Sequence, residues 1–137
     1  MTITDLLILP EDERLHMYLD DRGIHTIGVG HNLDAKPISA RASDTILEDD
    51  IADCEQAAIH TYPWFLPLDE VRRAVVVDML FNVGPDGFAK FVKFIAAMER
   101  QDYIDASAEI LNSHIAPKRA EDLAAMMQTG DWIPERG

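Results

Sequence analysis

Apolar and polar positions divide this chain into a short alternating region and a long helical one. In residues 2–9, TITDLLIL, the residues Ile3, Leu6 and Leu7 fall at helical spacing. Thr2 serves as the N-cap, and Asp5 stands three residues on, near the positive end of the helix dipole. Pro10 lacks the amide that a further turn needs, so the helix ends or kinks at Leu9 and Glu11 emerges beside a helix end. The period then changes. MYLD and IHTIGVG are β-branched and aromatic runs on either side of Asp21-Arg22-Gly23, which reads as a β-hairpin. On its second strand Ile24, Thr26 and Gly28 point one way, and His25, Ile27 and Val29 the other. Asp20 ends the first strand, so folding brings Asp20 and Thr26 close across the turn, both facing the helix end where Glu11 lies. Gly28 and Gly30 weaken the strand. They either permit a bend or let another chain approach the backbone closely.

The rest of the chain keeps the helical period. After the loop DAKPI at 34–38, a long helix starts at Ser39 or Ser43 and runs to about Ala58. Its stripe is Ile46, Leu47, Ile51, Cys54 and Ala58, with Glu48, Asp49, Asp53 and Glu55 facing solvent. HTYPWFLPL breaks the pattern with two prolines, and Trp64 and Phe65 there read as core plugs in preference to sugar-stacking platforms. Asp69 caps EVRRAVVVDMLFNV, which Gly84 closes; AVVVDMLF is apolar almost all round and marks the central buried helix. PDGFAKF is a turn into a helix from about Phe88 to Glu99, with Phe91, Phe94, Ile95 and Met98 as core. Asp102 caps YIDASAEILN. Pro117 starts a last helix, which Gly130 stops.

Composition narrows the choices. At 137 residues the chain is one domain by size. The single cysteine, Cys54, excludes an intrachain disulfide and reads as a small buried side chain suited to a reducing cytoplasm. The N-terminal apolar run is short and followed at once by acids, unlike a signal peptide, and no stretch approaches the roughly 20 apolar residues of a transmembrane helix. Synthesis in the cytoplasm without Sec export, and no stable membrane insertion, are therefore expected. The net charge of -13 argues against a nucleic-acid partner. It also opposes long-range steering towards an anionic cell wall, although salt screens this beyond roughly 8 Å. It does not exclude a glycan held by short-range contacts. The histidines His16, His25, His31, His60 and His114 fall into no metal-binding spacing, and there is no P-loop, GxSxG or Rossmann fingerprint, so neither a metal nor a cofactor is expected.

Two carboxylates across a small cleft are what glycoside hydrolysis needs. With 25 acidic residues, any pair at a given spacing is cheap, and Glu11-Asp12-Glu13 alone reads as a solvated run. The specific feature is Glu11, eight residues, Asp20, five residues, Thr26, joined to TIGVGH. With it the chain resembles the phage-type lysozymes. The likeness is strongest over residues 11–33, weaker through DEVRRAVVVDMLFNVG at 69–84, and faint at TGDW, 129–132.

The resemblance implies an α+β, predominantly helical, two-lobed lysozyme-like fold: a small β-hairpin lobe, a long connecting helix and a helical C-terminal lobe. One domain would span 1–137, the small lobe taking about 12–60. The helical lobe would take about 61–137 and pack with the N-terminal helix. The implied activity is a peptidoglycan muramidase that hydrolyses the β-1,4 bond between N-acetylmuramic acid and N-acetylglucosamine with inversion, in bacterial cell lysis. Glu11 would be the general acid, with a raised pKa; Asp20 would stay ionised and activate water; Thr26 would hold that water. Asn32 stands where the family contacts glycan through its backbone. Phe81 and Asn82 match a Phe-Gln pair at the cleft wall. His31 would pair with an acid on the long helix, for which Asp50 is best placed. Arg119 matches an arginine that orients the catalytic glutamate. The family's tryptophan and glutamine in the stretch before that arginine are missing from SHIAPKRA. The setting implied is a monomeric phage or prophage endolysin, made in the host bacterial cytoplasm and reaching the wall after holin-type release. A lysozyme-like module that binds glycan or protein without turnover, and a lytic transglycosylase, are the alternatives.

Overall fold

The computed structural model describes residues 1–8 and 13–133, in two compact units divided between Ile46 and Leu47. The first unit begins with helix α1 (Ile3–Ile8). Thr2 and Asp5 cap it reciprocally: the Asp5 amide donates to Thr2 Oγ1 at 3.2 Å, and the Thr2 amide donates to Asp5 Oδ2 at 2.8 Å. A three-stranded antiparallel sheet follows, β1 (Arg14–Leu19), β2 (His25–Gly28) and β3 (His31–Asn32), in the order β1-β2-β3. Leu19 pairs with His25 and Tyr18 with Thr26, as the hairpin pattern requires. Arg14 then pairs with Gly28, so three residues of β1, Leu15 to Met17, oppose Ile27 alone. This bulge lies outside any alternation rule, because it is set by pairing and not by the local pattern.

The hairpin's second strand is shorter than its apolar run. Gly28 takes a left-handed φ of 67° and ends β2, and Gly30, at 70°, completes a tight reversal into β3, a strand the period does not reveal. The glycines permit a bend here, since L side chains rarely adopt this backbone.

Helix α2 (Ala40–Thr61) starts at Ser39, whose Oγ accepts from the Ala42 amide at 3.0 Å. It runs across the boundary between the units. Its apolar stripe is buried only towards the C-terminal end: Ala58 is fully enclosed and Cys54 half-buried, whereas Ile46, Leu47 and Ile51 are exposed. Burial, then the charges of Asp50 and Asp53, raise the Cys54 thiol above its ordinary pKa.

Among the described residues the buried apolar core lies in the second unit. Its centre is α3 (Glu70–Ala89), capped by Asp69, whose Oδ2 accepts from the Arg72 amide at 3.1 Å. Val71, Val75, Val76, Met79 and Leu80 are buried along it. A run of β-branched valines is a modest helix former, so this burial is what holds the helix. Gly84 interrupts the helix at φ 73°, ψ 167°, as its position predicts. Pro85 then opens a further helical turn to Ala89, where a plain turn was expected. Phe88 belongs to that turn and is fully buried, and the next helix, α4 (Val92–Glu99), begins four residues later. Helix α5 (Tyr103–Leu111) is capped by Asp102, and α6 (Pro117–Thr129) runs from its proline to Gly130.

Polar ties lock these helices in register. Ser107 Oγ on α5 donates to Ala124 O on α6 at 2.8 Å, inside the core. Arg72 Nε donates to Met127 O at 2.7 Å, and its guanidinium lies 4.1 Å from the Tyr103 ring centroid, so one arginine joins α3, α5 and α6. Phe65 is buried, and half-buried Trp64 packs on Tyr62 with ring centroids 5.0 Å apart, which makes both the core plugs expected of them.

Candidate active site

Of the proposed catalytic residues, Asp20 and Thr26 are on the first unit, and the hairpin turn organises both. Asp20 folds its carboxylate over the turn it begins. Oδ1 accepts from the Arg22 amide at 2.8 Å and the Ile24 amide at 3.0 Å, and the Asp20 amide donates to Ile24 O at 3.0 Å. Aspartate suits this place because its short side chain reaches the amides two and four residues on. The carboxylate is thereby held in one orientation, at the end of the ribbon.

Thr26 is 4% exposed and is the buried residue of the sheet. It lies in the middle strand, opposite Tyr18 on one side and Asn32 on the other. Its Oγ1–H donates to Ile24 O at 2.8 Å. The hydroxyl's hydrogen is thus committed to the backbone, and its lone pairs remain to accept from a donor such as water. Because residues facing each other across the ladder share a face, Asp20 and Thr26 are diagonal neighbours, on the order of 7 Å apart. Thr26 pairs with Tyr18, two residues before Asp20, which itself bonds to Ile24 at the turn. Glu11, the expected general acid, lies outside the described residues.

Asn32 and His31 are both on β3. Asn32 Oδ1 accepts from the Ala35 amide at 2.9 Å, so the side chain shapes the following turn while the backbone serves the sheet. His31 Nε2–H donates to Lys36 O at 3.1 Å. A clasp that sequence reading missed holds the same loop: His25 Nδ1–H donates to Asp34 Oδ1 at 3.0 Å, and the His25 amide to Asp34 Oδ2 at 2.9 Å. Asp50, proposed as the partner of His31, stands on α2 in the second unit.

In the second unit, Phe81, Asn82 and Arg119 gather around an acid that was not singled out in the sequence, Asp78. Arg119 donates through Nε to Asp78 Oδ1 at 3.0 Å and through Nη2 to Oδ2 at 3.1 Å. Asn82 Nδ2 donates to that same Oδ1 and to the Asp78 carbonyl, each at 2.8 Å. The Asp78 carboxylate, by hydrogen bonding first and charge second, holds Arg119 above the ordinary guanidinium pKa. Half-exposed Phe81 lines a cavity of about 690 Å³ together with Asp78 and Arg119. The signal for Asp78 was present: it is the one charged residue within AVVVDMLF, four positions before Asn82 and so on the same helix face.

The family model for phage lysozyme matches residues 10–125. The chain belongs to the phage lysozyme family. It is similar to probable T4-type lysozyme 1 of Dictyostelium discoideum, 25% identical over an alignment of 162 residues that covers 94% of this chain and 95% of that protein. It is similar also to the endolysin of Salmonella phage P22, 33% identical over 87 residues, 58% of each chain. The pre-baseplate central spike protein Gp5 of Enterobacteria phage T4 is 24% identical over 131 residues, 75% of this chain and 23% of that protein. As a phage lysozyme the chain has the expected architecture, six helices among the described residues with a small antiparallel sheet, in an α+β lysozyme-like fold.

Proposed function

We propose that this protein is a muramidase that hydrolyses the β-1,4 bond between N-acetylmuramic acid and N-acetylglucosamine in peptidoglycan, with inversion, in bacterial cell lysis. The observation that carries this reading is Thr26, buried on β2, beside Asp20 with its carboxylate clamped by two turn amides. Glu11 protonates the leaving oxygen, and its task requires a raised pKa. Asp20 takes a proton from the attacking water, which Thr26 holds through a hydroxyl lone pair. Water then enters opposite the leaving group and the anomeric configuration inverts. Arg119 orients Glu11, Asn32 contacts glycan through its backbone, Phe81 and Asn82 wall the cleft, and His31 pairs with Asp50.

The test is release of reducing ends from purified peptidoglycan by wild type and Glu11→Gln, with products identified by mass. Hydrated muramic ends, reduced at least about 100-fold in the variant, are expected. Anhydro ends would reassign the chain as a lytic transglycosylase. No release by the wild type across pH and salt would leave a module that binds without turnover.

A further inference from the structure

With 25 acidic residues against 12 Lys and Arg, a cation that meets no acid stands out in this chain. Arg72, Arg100, Lys118 and Arg119 are each paired with an aspartate. Lys90, at the end of α3, and Lys93, in the first turn of α4, are exposed and form no ion pair among the described residues. Together they line a cavity of about 490 Å³ within the second unit, with Phe91, Glu109, Asn112 and His114. Glu109 has no cation partner among the described residues either. The walls are fixed. Phe91 is half-buried and meets fully buried Phe88 edge-on, with ring centroids 6.1 Å apart. Between Asn112 and His114, Ser113 Oγ–H donates to Ile110 O at 2.5 Å and Oγ accepts from the Ile115 amide at 3.3 Å, which ties the loop after α5 to its helix. Lys90, Phe91 and His114 also line a second cavity, of about 430 Å³, which reaches Asn82 and Arg119. The two cavities share these three residues and form one groove on the second unit.

We propose that Lys90 and Lys93 are specificity-determining residues: the groove takes the peptide carried by N-acetylmuramic acid, and the two lysines select peptides whose carboxylates are free over peptides in which they are amidated. The choice of ligand rests on the reading above. In peptidoglycan this peptide bears carboxylates together with the ammonium of a diamino acid. A lysine ammonium is a point charge with three donors on a flexible stem, which suits carboxylates on a short peptide. Glu109 accepts from the ammonium, and Phe91 offers an apolar wall to alanine methyl groups. An amide in place of a carboxylate keeps the shape and loses the charge, so the lysines distinguish the two. A phosphate polymer would gain from the lysines but be repelled by Glu109, so the mixed signs of the groove favour a ligand that carries both. Attraction at contact distance also offsets the repulsion between a chain of net charge -13 and an anionic wall, which salt screens further out.

The full-length protein tests this with two soluble probes: N-acetyl-L-Ala-γ-D-Glu-meso-diaminopimelate-D-Ala, and the same peptide amidated at the glutamate and diaminopimelate carboxylates. Nitrogen-15 NMR titration follows the backbone amides of Lys93, Asn112 and His114. The free peptide should shift these amides and bind the wild type about tenfold more tightly than the amidated one, a comparison that needs no variant. The double variant Lys90→Gln, Lys93→Gln, at two exposed positions, should lose that preference. Glu109→Gln should weaken the free peptide about threefold and keep the preference. Equal affinity of the wild type for the two peptides, or a preference that survives the double variant, would overturn the proposal. So would amides that respond to poly(glycerol phosphate) and to neither peptide. Hydrolysis separates this from the lysozyme reading. Peptidoglycans with free and with amidated stems should differ about tenfold in kcat/KM for the wild type and agree for the double variant. A wild type that binds the free peptide selectively but releases no reducing ends would defeat the lysozyme reading and keep the groove. Release at equal kcat/KM from both walls, with no shift of the groove amides, would keep the enzyme and overturn the groove.

Discussion

The two units of this chain are held together by different physics. Every buried apolar side chain among the described residues lies between Ala58 and Met127, in the second unit. Among the described residues of the first, the buried one is a threonine, and order comes from the Asp20 turn, the reversal at Gly28 and Gly30, and the His25–Asp34 clasp. A small sheet without a buried apolar face is marginal by itself. Asp20 and Thr26 therefore sit on a ribbon with little packing to hold it, while the arginine site stands on packed helices. This fits the general placing of functional loops and ribbons at the low-stability end of a structure.

The sharpest way to break the comparison is to remove a large apolar side chain from each unit. Phe88 is fully buried and meets Tyr62, Phe91 and Phe94 edge-on, with centroids 5.3 to 6.1 Å apart. Phe88→Ala should cost about 3–5 kcal/mol in denaturant unfolding. Leu15 on β1 is 80% exposed, and Leu15→Ala should fall within about 0.5 kcal/mol. A comparable cost for Leu15→Ala would mean that the hairpin has a core of its own.

A second test applies the same local strain to both units. Gly84 and Gly28 hold φ of 73° and 67°, and a Cβ at either would meet nothing within 4 Å. Alanine at each should therefore cost backbone strain alone, on the order of 1–3 kcal/mol. In Gly84→Ala the loss should register as a lower global unfolding midpoint, because α3 is part of the cooperative core. In Gly28→Ala it should register as faster amide exchange confined to β2 and β3, with little change in the midpoint. Equal midpoint shifts would show that the two units unfold together.

The division also separates what was legible in the sequence from what was not. Caps and stops depend on neighbours a few residues away, and Thr2, Ser39, Asp69, Asp102, Pro117 and Gly130 each perform the expected local task. The hairpin turn and the facing of Asp20 and Thr26 follow from a period of two. The bulge at Leu15 to Met17 does not, because it depends on which residues of another strand are opposite. Asp78 and Arg119 lie 41 residues apart, and local spacing cannot relate them. The helical turn after Gly84 escaped because Pro85 and Gly87 read as breakers, while the burial of Phe88 overrides them. Electrostatic clasps such as His25–Asp34 join side chains whose types are common on any surface, so nothing in the pattern marks them.

The smallest expected effect concerns that clasp. The His25 amide, as the largest cause, and the His25 ring beside it hold the Asp34 carboxyl below its ordinary pKa, against a desolvation effect of opposite sign. A carboxyl lowered in the folded state stabilises that state above its unfolded pKa, about 4, and the contribution is lost as pH falls through the lower folded value. Both side chains are about half-exposed, at 51% each, so screening keeps the effect local and small. Exchange of the His25 amide, read against pH, should be flat from neutrality to about pH 4 once base catalysis is divided out, and should accelerate below it. Asp34→Asn should remove the acid step while leaving amides in α3 untouched. An acid step that persists in the variant would place the sensitivity elsewhere in the ribbon. A step shared by α3 would mean that the hairpin's acid sensitivity belongs to the whole chain.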